Sequence, residues 1–138
     1  MSCFLLDTNV ISELRKGQRA DSNVTSWFAE IADEELFLSV VTIGEIRRGV
    51  ESVRRRDPDS AASLDRWLAR LSETHGERIL PIDRAIAEEW GRMNVPGPLP
   101  VIDGLLTATA RVLDLTLVTR NVASVEATGV ALLDPFAR

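Results

Sequence analysis

Asp7, Glu45 and Asp103 are acids that stand where an α/β chain passes from strand to helix. Asp7 ends the apolar run Phe4-Leu5-Leu6. Glu45 follows Leu36-Phe37-Leu38-Ser39-Val40-Val41 and lies just inside the next helix, and Asp103 opens a helix after a Pro-rich loop. Sites in open α/β sheets form outside the carboxyl ends of the strands, so the three acids are expected on one edge. Carboxylates gathered there repel one another and need a cation; a hard, oxygen-seeking ion such as Mg²⁺ or Mn²⁺ suits them. The chemistry of such a site is metal-assisted attack on phosphoesters.

Each acid also has a purely local explanation. Asp7-Thr8-Asn9 reads equally as a turn with Asp or Thr capping a helix. Thr42-x-x-Glu45 matches a capping box, in which Glu45 would only secure its own helix. Asp103 reads as a cap for the helix running to Leu113. What sets the functional reading apart is that all three fall at the same end of successive βα units. Competing chemistries are missing: the chain has no Gly-rich phosphate loop, no G-x-G-x-x-G and no C-x-x-C.

The elements that must position these acids follow from hydrophobic period. After Asp7 a short helix carries Val10, Ile11 and Leu14 and closes at Gly17; a second carries Val24, Trp27, Phe28 and Ile31. The stripe Ile43, Ile46, Val50, Val53 continues from Thr42 until Pro58 interrupts it. Asp59 or Ser60 then caps a helix bearing Leu64, Trp67, Leu68 and Leu71. Arg78–Ile82 is expected as strand three, with Asp83 capping a helix that carries Ile86, Trp90 and Met93. The loop Val95-Pro96-Gly97-Pro98-Leu99-Pro100 delivers Asp103 to a well-buried helix with Leu105, Leu106, Thr109 and Leu113. Thr116–Thr119 and Val130–Leu133 complete the strands. Alternating strands and helices imply parallel pairing with right-handed crossovers, in a three-layer α/β/α sandwich.

Composition permits this reading and narrows it. A chain of 138 residues fits one domain, residues 1–138, with one packed core. No apolar run reaches the roughly 18 residues of a membrane span, and the start lacks signal-peptide order, so a cytoplasmic protein is expected. Cys3 is the only cysteine and reads as a small core thiol. His75 is the only histidine, which excludes a two-imidazole nuclease within one chain. The net charge of −5 argues against a nonspecific nucleic-acid coat but not against a nuclease. Arg47, Arg48, Arg54, Arg55 and Arg56 cluster on and after one helix, either as a solvated face or for contact with phosphate or a partner.

The blocks LLDTN (Leu5–Asn9) with VISE (Val10–Glu13), TIGEIRRGV (Thr42–Val50), IDGLLTATA (Ile102–Ala110) and LVTRN (Leu117–Asn121) carry a family resemblance. Together, and in this order from Leu5 to Pro135, they resemble a PIN-domain ribonuclease toxin of the VapC type. The resemblance implies a PIN-like five-stranded parallel sheet and a Mg²⁺-dependent endoribonuclease, with Mn²⁺ able to substitute. It also implies a homodimer held inactive by a VapB-type antitoxin. The family's acidic positions fall on Asp7, Glu45 and Asp103 as metal ligands and catalytic groups. A fourth acid often follows the Thr-Arg of the fourth strand, and here that position is Asn121. Asn ligates weakly through its carbonyl and adds no charge, so one firmly held metal and a second, weaker one are expected.

Thr8 and Thr119 are candidates to orient water or phosphate, with a cap or turn role as the alternative. Arg120 is a candidate for the scissile phosphate or for an ion pair with a neighbouring acid. The expected reaction is hydrolysis of RNA by a metal-activated water, leaving a 5′-phosphate and a 3′-hydroxyl. Two other classes stay open. An aspartyl phosphatase also places Asp after strand one, but its usual second Asp is Asn9 here. A non-catalytic PIN-fold module with a decayed site is suggested by Asn121.

Overall fold

The computed structural model describes residues 2–95 and 97–137. Five short strands, β1 (Phe4–Leu6), β2 (Leu36–Ser39), β3 (Ile79–Leu80), β4 (Thr116–Val118) and β5 (Leu132–Leu133), form one sheet in the order β3-β2-β1-β4-β5. Every pairing is parallel, and β1 pairs with β4 through Phe4–Thr116, Leu5–Leu117 and Leu6–Val118. The chain therefore builds one half of the sheet outward from β1, then returns to β1's other side. Strand order reverses between β1 and β4, the position where open α/β sheets leave a crevice.

The two faces of β1 and β4 are sorted by the period of two that a strand imposes. Phe4, Leu6 and Val118 point into one apolar cluster with Val10, Ile11, Val24, Trp27, Leu68 and Val50. Leu5 and Leu117 point into the other, with Leu106, Ala110 and Val125. The first cluster is covered by α1 (Thr8–Leu14), α2 (Ser22–Ala29), α3 (Val40–Arg54) and α4 (Pro58–His75). Beyond the second lie α6 (Val101–Leu113), whose Gly104, Leu106 and Thr107–Ala110 are all buried, and the short α7 (Val122–Val125). The remaining helix, α5 (Arg84–Met93), packs on α6. This is the expected three-layer α/β/α sandwich with a five-stranded parallel sheet.

Several boundaries differ from those the sequence suggests, each for a local reason. The second strand stops at Ser39, because the Ser39 hydroxyl accepts from Val41 N at 3.1 Å and starts α3 there. Thr42 is thus inside the helix and fully buried, and the capping-box reading of Thr42 and Glu45 falls. Asp57, not Asp59 or Ser60, caps α4 by accepting from Ser60 N, and Pro58 opens that helix instead of merely interrupting the previous one. Asp83 caps α5 as expected, accepting from Ile86 N at 2.9 Å. Leu113 is 44 % exposed at the end of α6, where burial was expected. Of the Pro-rich loop at 95–100, Pro96 lies outside the described residues. Among the described residues no helix is long and apolar enough to cross a membrane.

The arginine cluster on α3 resolves partly into structure. Arg47 and Arg54 both reach Asp65 on α4, at 2.6 and 2.7 Å, and both pair with Glu51. These two residues tie α3 to α4, the helix pair that flanks the site described next.

Candidate functional site at the carboxyl edge of the sheet

Asp7 follows the last residue of β1, and its backbone N–H continues the ladder to Val118 O at 2.9 Å. Its side chain turns back to cap α1, Oδ1 accepting from Thr8 N at 2.6 Å. The other oxygen faces β4, where the Thr119 hydroxyl donates to Oδ2 at 2.8 Å. Asn9 closes this arrangement. Its amide nitrogen lies 3.4 Å from both Asp7 Oδ2 and Thr119 Oγ1, and its carbonyl accepts from Arg120 N at 3.2 Å. Asn121 N in turn donates to Thr119 Oγ1 at 3.0 Å. Asp7 is therefore a helix cap that also stands at the carboxyl edge of the sheet, so the capping role leaves room for the functional one.

Glu45 stands on the first half of α3, half-buried, and Thr8 Oγ1 donates to its Oε1 at 2.5 Å. That bond spans two helices and leaves the second carboxylate oxygen available. Asp103 sits in the first turn of α6, where the positive end of the helix favours an acid. It does not cap that helix: Pro100 holds the cap position, and no hydrogen bond among the described residues reaches the Asp103 carboxylate. Next to it, Gly104 is required by a close approach. A Cβ there would lie 3.0 Å from the Trp90 ring of α5, so the indole fixes α6 at the turn that carries Asp103.

The electrostatics tie the acids together. Burial pushes the Asp7 carboxyl above its ordinary value, the Thr119 and Thr8 hydrogen bonds pull it back, and the charges of Asp103 and Glu45 raise it again. Asp103 is raised by burial and then by Glu45. Asp7 thus senses both other acids and Asp103 senses Glu45, which places the three within electrostatic reach of one another. The donor set is made of hard oxygens only, which fits a divalent cation of the Mg²⁺ class and not a soft metal. As the side chains stand, no three His, Cys, Asp or Glu groups among the described residues close into a ready-made metal cage. This is compatible with Mg²⁺, which commonly takes one or two carboxylates and keeps several waters.

The remaining candidates divide by what they touch. The Thr8 and Thr119 hydroxyls both donate to carboxylates, Thr119 while almost fully buried. Asn121 is exposed at the start of α7 with a side chain that caps nothing. Arg120 makes no ion pair among the described residues; its guanidinium lies 4.3 Å above the Phe136 ring centroid. Sequence reading missed Asn9 as a member of the network, Gly104 as the seat for Trp90, and Phe136 as the support for Arg120. The first had a signal, a short amide two residues after the leading acid. The other two are long-range contacts with none.

A family model described as the PIN domain matches residues 4–126. The chain belongs to the PIN domain family. It is 30 % identical over 138 residues to Toxin FitB of Neisseria gonorrhoeae, covering 96 % of this chain and 98 % of that protein. It is also 30 % identical over 141 residues to the VapC ribonuclease Y4jK of Sinorhizobium fredii, covering 96 % and 97 %. The solved structure of FitAcB from Neisseria gonorrhoeae superposes with a TM-score of 0.89 at 30 % identity, over 98 % of this chain and 99 % of that one. The carboxyl-edge acids thus lie in a PIN domain whose relatives bear toxin and ribonuclease names.

Proposed function

We propose that this PIN domain is a Mg²⁺-dependent endoribonuclease toxin that cleaves RNA phosphodiester bonds and is restrained by a small antitoxin. The observation that carries the reading is a buried Asp7 at the end of β1, beside the switch point between β1 and β4, whose carboxyl is raised by burial and by the charges of Asp103 and Glu45. Two desolvated acids that repel each other there make sense as a cation site. When bound, the ion would supply Lewis-acid charge to the phosphate and acidify a water. Asp7, Asp103 and Glu45 would hold it. Asp7 is pre-aimed by Thr8 N and Thr119, and Glu45 by the Thr8 hydroxyl. Thr8 and Thr119 thus act on substrate only through the acids they orient. Asn121 would offer a neutral carbonyl to a second, weaker ion. The relatives' toxin and ribonuclease names support the same chemistry.

The antitoxin reading has a surface to match. Between α1, α3 and α4 a groove of about 230 Å³ runs from Thr8 and Glu45 past Ile46 and Val50 to Trp67. Its apolar floor suits an amphipathic helix, and an Arg from such a partner would pair with the acids at its end. A homodimer of this chain belongs to the same proposal.

The test is cleavage of a structured RNA by purified protein with Mg²⁺, with EDTA, and with Asp7→Asn as control. Cutting that requires the ion and Asp7 is expected. Equal cutting in EDTA would remove the metal from the mechanism, and no cutting with Mg²⁺ or Mn²⁺ would sink the nuclease reading and favour a non-catalytic module. Copurification from cells with a small basic-tailed protein is the expected outcome for the antitoxin.

A further inference from the structure

Arg120 is the cation nearest in sequence to the Asp7 clamp, one residue beyond Thr119, and among the described residues its guanidinium makes no ion pair. Glu13, the acid that feels its charge, is already held by Lys16 at 3.0 Å and by Asp21 N at 2.8 Å. Instead of an acid, the guanidinium covers the Phe136 ring at 4.3 Å, while its own backbone N–H is fixed to Asn9. A guanidinium stacked on an aromatic face is stripped of water on one side and keeps its N–H edge free for a planar or bidentate acceptor.

Phe136 is itself anchored. It lies in the C-terminal turn Pro135–Ala137, its N–H donating to Asp134 Oδ1 at 2.9 Å and its carbonyl accepting from Asn23 of α2 at 2.9 Å. Pro135 is buried, Phe136 packs on the main apolar cluster, and Thr119 N donates to Leu133 O at 3.0 Å. The turn that supports Arg120 lies beyond residue 126, where the family match ends. An edge with three carboxylates repels a polyanion, so a strand lying across it needs a fixed positive group beside the acids.

We infer that Arg120 grips a phosphate of single-stranded RNA next to the carboxylate edge, and that Phe136 is a positioning residue that holds the guanidinium for it. This rests on the ribonuclease reading for the choice of RNA, not for the grip. The test uses the full chain in EDTA, which withholds the metal that the proposed cleavage needs, with a labelled single-stranded oligoribonucleotide followed by fluorescence anisotropy across a salt series. Removing one phosphate contact flattens the log-affinity against log-salt slope by about 0.7 for a single strand, and Arg120→Ala is expected to do so. Arg120→Lys should keep the slope.

Phe136→Leu keeps an apolar side chain but removes the aromatic face, so affinity should fall roughly two- to fivefold in a protein that stays folded by circular dichroism at the assay temperature. The same substitution on top of Arg120→Ala should cost nothing further, because the stacking partner is already gone. An unchanged slope in Arg120→Ala, no binding by the wild-type chain, or a Phe136→Leu loss that adds in full to the Arg120→Ala loss would overturn the proposal. A chain that binds in this Arg120-dependent way but never cuts RNA with Mg²⁺ would keep the grip and remove only the nuclease.

Discussion

The two principal acids of the site are built in opposite ways. Asp7 is 7 % exposed, and both of its oxygens are held by hydrogen bonds, from Thr8 N at the start of α1 and from Thr119 just after β4. Asp103 is half-buried on α6, and its carboxylate receives no hydrogen bond among the described residues. Asp7 is aimed by the protein before any ligand arrives. Asp103 is placed by a helix turn and by Trp90 against Gly104, but its charge is left to be balanced from outside. Pre-aiming one acid lowers the cost of ordering a site, while leaving the other open keeps a repulsion that a cation relieves.

The largest effect that can break this contrast is on cleavage. Asp7→Asn and Asp103→Asn are each expected to lower RNA cleavage with Mg²⁺ by at least about a hundredfold, read as initial rates at saturating ion. Near wild-type rates in either purified variant would remove that acid from the site. Glu45→Gln should lose activity as well, since its bond to Thr8 crosses two helices instead of serving its own first turn.

Stability sharpens the comparison. Both acids have raised carboxyl groups, so their ionisation opposes folding: their contribution is most favourable below the ordinary value of 3.8 and is lost as pH rises through the higher folded-state value. In metal-free protein, Asp103→Asn should therefore match the wild-type melting temperature in acid and exceed it near neutral pH. Asp7→Asn should gain less. Its new NH2 group must face either Thr8 N–H or the Thr119 hydroxyl, donor against donor, at a cost of about 1–2 kcal/mol. Equal gains across pH 3 to 8 would mean that the two acids are not differently supported.

Smaller is the effect of charge at the open side. Asn121→Asp should tighten divalent-ion binding, most clearly in the weaker of two calorimetric events, because a carboxylate replaces a neutral carbonyl beside the cluster. Unchanged heats would place Asn121 outside the metal's surroundings. Smallest are two stability changes away from the acids. The Thr42 hydroxyl is fully buried without a hydrogen-bond partner among the described residues, so Thr42→Val should stabilise by up to about 1 kcal/mol. Asp114 ends α6 at φ 56°, so Asp114→Gly should gain about 0.5–1 kcal/mol by relieving the left-handed conformation. Chemical denaturation reads both.

The acids themselves were legible because strand-end chemistry is local. A lone Asp after three apolar residues, followed by helix-forming period, has few places to go in an α/β chain. The capping assignments were less legible. Ser39, Asp57 and Pro58 won over Thr42 and Ser60 because strand length was set by where β2 pairs with β1 and β3, not by the apolar run that continues into Val40 and Val41. An apolar run reads the same whether its last residues end a strand or begin a buried helix.

By itself, the sequence determined the alternation of strands and helices, the parallel α/β class, and the identity of the acids. Period, polarity and residue type act over a few neighbours and are written in order along the chain. Only the tertiary structure decided that Asn9 joins Thr119 across 110 positions, that Thr8 serves Glu45 across 37, and that Phe136 lies under Arg120. These contacts depend on β4 returning beside β1 and on the C-terminal turn docking against α2, and no local propensity encodes which distant groups will meet there.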